Sequence, residues 1–320
     1  MTNSTSVPMR FDDEVVVVTG AGRGLGREYA LAFAARGAAV VVNDVGAGPD
    51  GGGRSGLYAD AVAGEIVSAG GRAIANTHSI AQPGGAEAII DAALEAFGKV
   101  TVLVNNAGII SFASLTELTD DAWRAMQSVT LDGTFYMSRA VWPFMAAKGY
   151  GRIINTTSNA GFGGNETLAH YGAAKLGVAG FTKCLAQEAV GTGITVNAVA
   201  PMAVTRMNRD AFFNGQDTEG EDWRDDIRAG RVPMGPPSAV AATVLWLAHR
   251  STDLNGEIFS SSSGKVARVG FAVGEGWFDP CHEPEDLRAN ADAIRRLGDY
   301  LDITSTGDEL ALIPPLFSGG

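Results

Sequence analysis

Residues 15–26 read VVVVTGAGRGLG, and this stretch decides the fold. Four consecutive valines are typical of a β-strand that is buried on both faces. The glycines that follow allow a tight turn, and the Ala-rich, amphipathic sequence after Gly26 predicts a helix to about Arg36. A strand, a glycine-rich turn and a helix in this order form the first part of a βαβ unit.

The same alternation of short apolar strands and longer amphipathic helices continues along the chain. It predicts a parallel sheet covered by helices on both faces, so we expect an α/β fold of the Rossmann type, doubly wound, with ligands at the carboxyl ends of the strands. We expect one domain over 10–263 and a C-terminal extension over 264–320, packed on the same domain or on a neighbouring subunit. The predicted strands are 15–19, 39–43, 72–76, 102–105, 152–157, 195–200 and 256–260, and the later predicted helices are 59–69, 86–97, 120–147, 171–190, 237–249 and 284–297.

The composition argues against several classes of function. The 320 residues include 24 Lys and Arg against 36 Asp and Glu, and the net charge of −12 disfavours nucleic-acid and anionic-membrane partners. No apolar run approaches the ~18 residues of a membrane span, and the N-terminus lacks the pattern of a secretory signal. With two cysteines, neither a disulfide framework nor a metal site is expected. We therefore expect a cytoplasmic protein.

The glycine-rich turn predicts a dinucleotide site. Its glycines allow a pyrophosphate to approach the backbone, and the N-terminus of the following helix presents N–H groups to the anion. Asp44 follows the second predicted strand directly. A carboxylate there accepts hydrogen bonds from the ribose hydroxyls of NAD and repels the 2′-phosphate of NADP, so the sequence predicts NAD as the cofactor.

Tyr171 and Lys175 are four residues apart and therefore share one face of the predicted helix 171–190. A free phenol is a weak base at neutral pH. A neighbouring ammonium and an oxidised nicotinamide both favour the phenolate, which lowers the pKa of the tyrosine. We expect Tyr171 to exchange the proton of a substrate hydroxyl group while hydride moves to or from NAD.

These motifs resemble the short-chain dehydrogenase/reductase family. The resemblance rests on TGAGRGLG at 19–26, NNAG at 105–108 and YGAAK at 171–175. It implies Ser158 as a third catalytic residue beside Tyr171 and Lys175, because the family has a serine at this spacing before the tyrosine. The cofactor contacts that it implies are Gly20, Arg23, Gly24, Leu25, Gly26, Asp44, Ser79, Ile80, Asn106, Ala107, Gly108, Tyr171, Lys175, Ala203, Val204 and Thr205.

Three positions depart from the family pattern. Thr130 stands where many members have the asparagine that supports a water relay to the lysine, so Thr130 is not counted among the catalytic residues. His78 stands near the expected adenine position, where an acidic residue is common. Met202 replaces the glycine that usually follows Pro201.

A closer resemblance, over about residues 10–297, connects the chain with the (3R)-hydroxyacyl-CoA dehydrogenase region of peroxisomal multifunctional β-oxidation proteins and with their bacterial single-domain relatives. It rests on the glycine-rich insert at 46–56, on HYGAAKLGVAGFTKCLAQE at 170–188 and on GKVARVGFAVGEGWFDPCHEPEDLRANADAI from residue 264. It implies NAD-dependent oxidation of a (3R)-3-hydroxyacyl-CoA in fatty-acid or steroid side-chain β-oxidation. It also implies a homodimer or homotetramer formed through the predicted helices 120–147 and 171–190.

Two alternatives use the same motifs. One is a dehydrogenase of a free hydroxysteroid or another alcohol or ketone, which would differ in the lid and the substrate pocket. The other is a catalytically idle NAD-binding protein, which the intact Ser158, Tyr171 and Lys175 disfavour. A CoA ester needs local cations on an acidic protein, and the candidates lie around a predicted lid at 208–231: Arg206, Arg209, Arg228 and Arg231.

Overall fold

The structure is a computed structural model, and it describes residues 8–48, 51–53, 55–205, 234–281, 283–298 and 300–302. The chain divides into two compact units, Met1–Ala267 and Arg268–Gly320. The domain limits at 10–263 and 264–320 remain a prediction.

The first unit is built on a sheet whose strands β1 to β7 are paired in parallel. In the described residues these strands are β1 (Val15–Thr19), β2 (Ala39–Asn43), β3 (Arg72–Asn76), β4 (Val102–Asn105), β5 (Gly151–Thr156), β6 (Ile194–Met202) and β7 (Ile258–Ser262), followed by β8 (Lys265–Val269). The order across the sheet is β3-β2-β1-β4-β5-β6-β7-β8, so the direction of winding reverses between β1 and β4. The predicted Rossmann-type α/β fold is confirmed, and the reversal marks the place where such sheets bind ligands.

Helices connect the parallel strands. Those in the described part of the chain are α1 (Gly24–Ala34), α2 (Leu57–Ser68), α3 (Pro83–Phe97), α4 (Asp120–Gln127), α5 (Gly133–Lys148), α6 (Asn159–Gly163), α7 (Ala169–Glu188) and α8 (Ser238–Ala248). The chain is helical throughout the predicted range 120–147, but a π-helical segment that the sequence does not predict, Ser128–Asp132, lies between α4 and α5. Within it the carbonyl oxygen of Thr130 accepts a hydrogen bond of 2.8 Å from the hydroxyl of Thr134, and bonds of this kind bend helices.

Strand β1 shows why its sequence is continuously apolar. Val16 and Val18 belong to the core on one face of the sheet, together with Phe33 of α1. Val17 belongs to the core on the other face, together with Ile90 of α3. Because successive side chains of a strand point to opposite faces, a sheet covered on both sides needs apolar residues at every position.

Glu14 directly precedes β1, at the side of the sheet where the parallel strands begin, and its side chain is 3% exposed. Its carboxylate accepts hydrogen bonds from the guanidinium of Arg250 at 2.7 Å and from the hydroxyl of Tyr150 at 3.2 Å. Burial, aided by the charge of Glu14, raises the pKa of Tyr150 to about 12. The buried carboxylate is therefore paired, and the pair joins the beginning of β1 to the residues after α8.

The second unit contains a two-stranded antiparallel sheet of β9 (Ala272–Gly274) and β10 (Tyr300–Asp302), with the short helices α9 (Pro284–Ala289) and α10 (Ala291–Arg295). A capping box of Glu283 and Asp286 begins α9. The helix predicted over 284–297 is present as two short helices that are divided at Asn290, and the second ends at Arg295. In neither unit does a described helix have the length and apolar character needed to span a membrane.

Candidate active site

In the first unit, the carboxyl ends of β1, β2, β4, β5 and β6 open into a cavity of about 600 Å³. It lies where the order of the sheet reverses. Two predicted contacts, Gly26 and Val204, are not part of its lining. The predicted residues that line it are Gly20, Arg23, Gly24, Leu25, Asp44, Ser79, Ile80, Asn106, Ala107, Gly108, Ser158, Tyr171, Lys175, Ala203 and Thr205.

Gly26 packs against the backbone of the glycine turn. A Cβ on Gly26 would lie 2.2 Å from the carbonyl oxygen of Gly20. Gly20 itself has a φ of +63°, and a Cβ there would lie 2.8 Å from the Cα of Ala107. Neither position accepts a side chain unless the backbone moves. Gly26 therefore allows α1 to pack closely against the turn, although Gly26 itself does not line the cavity.

Val204 is the second exception. It packs in a small apolar cluster with Met234, and its N–H donates a hydrogen bond of 2.8 Å to the carbonyl oxygen of Gly235. This bond occupies the N–H of Val204 within the protein. Its neighbours Ala203 and Thr205 do line the cavity.

Asn106 holds the loop after β4 against the glycine turn. Its side-chain nitrogen donates to the carbonyl oxygens of Thr19 at 2.9 Å and Gly20 at 3.1 Å. The backbone N–H groups of Asn106 and Ala107 both donate to the hydroxyl of Thr19 at 3.1 Å. The side chain of Arg23 does not cap α1, so the N-terminus of this helix is suited to binding an anion such as a pyrophosphate.

The carboxylate of Asp44 is held in place by two backbone N–H groups. Gly22 donates to one oxygen at 2.9 Å and Gly46 to the other at 2.6 Å. Each carboxylate oxygen has further acceptor capacity, so the group can also accept hydrogen bonds from a pair of ribose hydroxyls. The residues present therefore fit the adenosine half of NAD.

Arg23 lies on the same side of the cavity. Its guanidinium carbon is 3.7 Å from the ring centroid of Tyr58, and it donates a hydrogen bond of 2.7 Å to the carbonyl oxygen of Ala47. Ala47 belongs to the glycine-rich insert, from which Gly48 and Gly51 also line the cavity. The insert therefore forms part of the wall on the cofactor side.

Lys175 and Tyr171 come from α7 and face the cavity together. The ammonium of Lys175 is 5.9 Å from the ring centroid of Tyr171, and burial lowers the pKa of Lys175 to about 8. Burial also raises the pKa of Tyr171. The sequence predicts that the neighbouring ammonium lowers this pKa. In the structure the pKa is raised instead, and burial is the largest cause.

Ser158 opposes the effect of burial on Tyr171. A hydrogen bond between the Ser158 hydroxyl and the phenol lowers the pKa of Tyr171. The same oxygen accepts a hydrogen bond of 3.2 Å from the N–H of Ala160, which fixes the side chain at the beginning of α6. The serine predicted from its spacing is therefore placed beside the tyrosine.

Thr130 is buried and lies close to this group without lining the cavity. Its hydroxyl donates to the sulfur of Met126 at 3.7 Å. A Cβ on Gly108 would lie 3.8 Å from this hydroxyl and 3.5 Å from the ammonium of Lys175. The glycine at 108 therefore keeps the space between Thr130 and Lys175 clear of a side chain.

Most of the cavity wall beyond Tyr171 is not predicted from the sequence. This wall comes from loops that carry no periodic pattern, so only the three-dimensional packing identifies it. The predicted lid and its arginines at 206, 209, 228 and 231 lie outside the described residues. Among described residues, no group of three or more His, Cys, Asp or Glu is arranged to hold a metal ion. The lining residues of this wall include Ile109, Ile110, Phe112, Asn159, Asn165, Glu166, Thr167, Leu168, Met202 and Met234.

Comparison with known proteins gives consistent results. A family model described as short chain dehydrogenase matches residues 14–214. A short-chain type dehydrogenase/reductase of Mycobacterium tuberculosis is 39% identical over 278 residues, which are 87% of this chain and 92% of that protein. Among solved structures, a short chain dehydrogenase from Mycobacterium avium has a TM-score of 0.72 and 35% identity, and the match covers 90% of this chain and 98% of that one.

A longer protein is also similar. The peroxisomal multifunctional enzyme type 2 of Mus musculus is 41% identical over 262 residues, which are 82% of this chain. The match covers 33% of that protein, so this chain spans about a third of the length of the multifunctional relative.

Proposed function

This chain belongs to the short-chain dehydrogenase family, and we propose that it is an NAD-dependent dehydrogenase of (3R)-3-hydroxyacyl-CoA esters. As a member of that family it is an oxidoreductase that acts on CH–OH donors. The cofactor, the CoA ester and the residue roles belong to the proposal. The observation that carries it is one cavity that joins Asp44 and the glycine turn to Ser158, Tyr171 and Lys175.

Asp44 supports NAD as the cofactor. Its two oxygens are already fixed by the N–H groups of Gly22 and Gly46, so the carboxylate cannot turn aside readily to admit a phosphate. A ribose 2′-hydroxyl can donate a hydrogen bond to it, whereas a 2′-phosphate would place like charges together. The described cofactor contacts, from Gly20 to Thr205, are proposed on the same basis.

The catalytic roles follow from the positions of three side chains. Ser158 orients the oxygen of the substrate by hydrogen bonding, and Tyr171 accepts the hydroxyl proton during oxidation or returns it during reduction. Lys175 supplies a positive charge on the same helix face and a donor for the ribose next to the nicotinamide. NAD, when bound, supplies the hydride acceptor and a positively charged ring that favours the phenolate.

The substrate class rests on two supports. The wall beyond Tyr171 contains Ile110, Phe112, Leu168 and Met202, which are suited to an acyl chain. The second support is the sequence resemblance to the (3R)-hydroxyacyl-CoA dehydrogenase region of the peroxisomal multifunctional proteins. The similarity to the Mus musculus multifunctional enzyme agrees with it. Fatty-acyl and steroid side-chain esters are both included, and Arg206, Arg209, Arg228 and Arg231 remain the predicted cations for CoA.

The test measures NADH formation with a matched set of substrates. It compares a (3R)-3-hydroxyacyl-CoA with its (3S) enantiomer, with the same acyl group on a short pantetheine thioester and with free hydroxysteroids. We expect kcat/KM for the (3R)-CoA ester to exceed kcat/KM for the truncated thioester by roughly tenfold or more, because contacts with the remote part of CoA help to position the reacting hydroxyl group. Equal kcat/KM for the truncated ester or for a free steroid would contradict the CoA assignment and favour the hydroxysteroid alternative.

We also propose a homodimer or homotetramer. Helices α5 and α7 carry large apolar side chains that are about two-fifths exposed, with Phe135 at 39%, Phe144 at 43% and Leu176 at 40%. Burial of such side chains against a second copy would stabilise an oligomer. Light scattering during size-exclusion chromatography measures the mass directly, and a monomer at micromolar concentration would contradict the proposal. The cytoplasmic location and the lack of nucleic-acid or membrane partners remain predictions from the sequence.

A further inference from the structure

His170 is a buried titratable residue that the proposed chemistry does not use. Its side chain has no exposed surface, and it directly precedes Tyr171 on α7. Its Nε2 is 2.8 Å from the hydroxyl oxygen of Ser111. Its Nδ1 is buried and has no hydrogen-bond partner among the described residues. Among the described residues, Ser111 is therefore the one hydrogen-bond partner of the imidazole ring.

Ser111 belongs to the loop 109–113, which follows β4 and forms part of the substrate-side wall. Ile110 and Phe112, its neighbours on either side, line the cavity, and Phe112 is 52% exposed. A second bond joins the same loop to the segment before α7, because the N–H of Ala113 donates to the carbonyl oxygen of Thr167 at 3.0 Å. One bond therefore connects this wall to α7, which carries Tyr171, and the other connects it to the residues directly before α7.

Burial lowers the pKa of His170 and so favours the neutral imidazole. A neutral imidazole can form the bond with Ser111 in either direction. Loss of one partner would leave the other polar group buried without a bond, and this penalty exceeds the net gain of forming an ordinary hydrogen bond. The loop 109–113 would then no longer be fixed at its middle residue.

We propose that His170 is a positioning residue, which acts through Ser111 to hold the loop 109–113 in the conformation that receives the substrate. This inference rests on the proposed function of the cavity and goes beyond it by assigning part of the substrate specificity to this pair. His170 and Tyr171 are adjacent in sequence, so they lie about 100° apart around the helix and face different neighbours. The pair therefore connects the position of the loop to the position of the catalytic phenol.

Two amide substitutions separate the hydrogen bond from general packing. His170→Gln places an amide nitrogen near the original Nε2 and can keep the bond with Ser111. His170→Asn places its amide near the original Nδ1 and cannot reach Ser111. Ser111→Ala removes the same bond from the other side with little change in volume, so the test does not depend on the folding of one variant.

We expect His170→Asn and Ser111→Ala each to raise KM for the acyl substrate about tenfold, with kcat changed less than KM. The dissociation constant of NADH, measured by fluorescence titration, should stay within about twofold, since the loop does not line the adenosine side. His170→Gln should restore KM to near the parent value. KM of the double variant His170→Asn/Ser111→Ala should be no higher than that of either single variant, because the two substitutions remove the same hydrogen bond.

Hydrogen exchange of the amides in loop 109–113 provides a readout that does not need a substrate. It should be faster in His170→Asn and Ser111→Ala than in the parent and in His170→Gln. Equal behaviour of the Gln and Asn variants, additive effects in the double variant, or unchanged exchange would overturn the inference. If the exchange pattern holds but no hydroxyacyl-CoA is oxidised, the positioning role stands and the proposed substrate is wrong.

Discussion

The ammonium nitrogen of Lys175 donates a hydrogen bond of 2.8 Å to the carbonyl oxygen of Thr156, the last residue of β5. Thr157, the next residue, returns a bond of 2.7 Å from its hydroxyl to the carbonyl oxygen of Lys175. These two bonds fix α7 against the end of the strand. They do not offset the cost of burying the ammonium, because burial still lowers the pKa of Lys175.

The buried ammonium makes stability depend on pH. The pKa of Lys175 is about 8 in the folded chain against an ordinary 10.5, so between these values the unfolded chain binds more protons and stability rises with pH. For Lys175→Met this contribution disappears. Without cofactor, we expect the parent to gain about 2 kcal/mol of unfolding free energy relative to the Met variant between pH 7 and pH 9.5. Urea unfolding at both pH values measures it, and a constant difference would contradict the prediction.

Replacement of Tyr171 by Phe should remove catalysis while leaving cofactor binding nearly intact. Phe retains the ring that packs in the cavity but cannot exchange a proton. We expect kcat to fall by at least about 100-fold, which is typical for the loss of a general acid or base. The NADH dissociation constant, measured by fluorescence, should change little. Tyr136→Phe, a tyrosine on α5 outside the cavity lining, is the matched control, and comparable activity in both variants would disprove the role of Tyr171.

Ser158→Ala should shift the pH dependence of oxidation to higher pH. The hydrogen bond from Ser158 lowers the pKa of Tyr171, so its removal leaves burial less opposed and raises that pKa. Oxidation needs the phenolate of Tyr171, which accepts the hydroxyl proton and becomes the phenol, so the rising limb of kcat/KM should move to higher pH. Profiles of the parent and the variant with one substrate provide the measurement. A shift to lower pH would contradict the hydrogen-bond assignment.

Asp44 should determine the preference for NAD over NADP. Repulsion between its carboxylate and a 2′-phosphate in a partly desolvated pocket is expected to cost about 2–3 kcal/mol, which corresponds to roughly 30- to 150-fold in kcat/KM. Asp44→Asn removes the charge and should reduce the ratio strongly. Asp91→Asn, an exposed carboxylate on α3, should leave it unchanged. A parent enzyme that uses both cofactors equally well would show that the prediction is wrong.

Two glycine-to-alanine substitutions should have opposite effects. Gly26→Ala places a Cβ 2.2 Å from a backbone oxygen of the glycine turn, so it should lower both the Tm and the affinity for NADH. Gly64→Ala meets no atom within 4 Å in the middle of α2. There we expect about 0.5–1 kcal/mol of stabilisation, because alanine restricts the unfolded chain and favours the helix. Thermal unfolding and NADH titration of both variants test the contrast, and a tolerated Gly26→Ala would contradict it.

The sequence predicts those parts of the molecule whose physical cause is local. The valine run at 15–18 predicts a strand covered on both faces, and the glycine turn predicts the beginning of α1. The spacing of Tyr171 and Lys175 predicts a shared helix face, and the structure places both in the cavity. In each case the pattern spans a few residues, so no distant contact is needed to interpret it.

The rest depends on contacts between distant segments. Ser111 and His170 are 59 positions apart, and neither lies in a periodic pattern that indicates the other. The π-helical segment, within which the hydroxyl of Thr134 donates to the carbonyl oxygen of Thr130, is not something that helix propensity expresses. The N–H of Val204 is occupied by Gly235, a residue in another loop. The raised pKa of Tyr171 likewise reflects burial by the whole fold.

The pairing of Glu14 with Arg250 also constrains when the first unit can be completed during synthesis. The two residues are 236 positions apart, and β1, which follows Glu14, lies in the interior of the sheet. At roughly 5–20 residues per second, a ribosome takes about 10–50 s to add the arginine after the glutamate. During that interval β1 can pair with β2 and β4, but the carboxylate of Glu14, at the amino-terminal end of β1, lacks the guanidinium of Arg250. The half of the sheet around β1, β2 and β4 is therefore made first, and the residues after α8 complete the ion pair with Glu14.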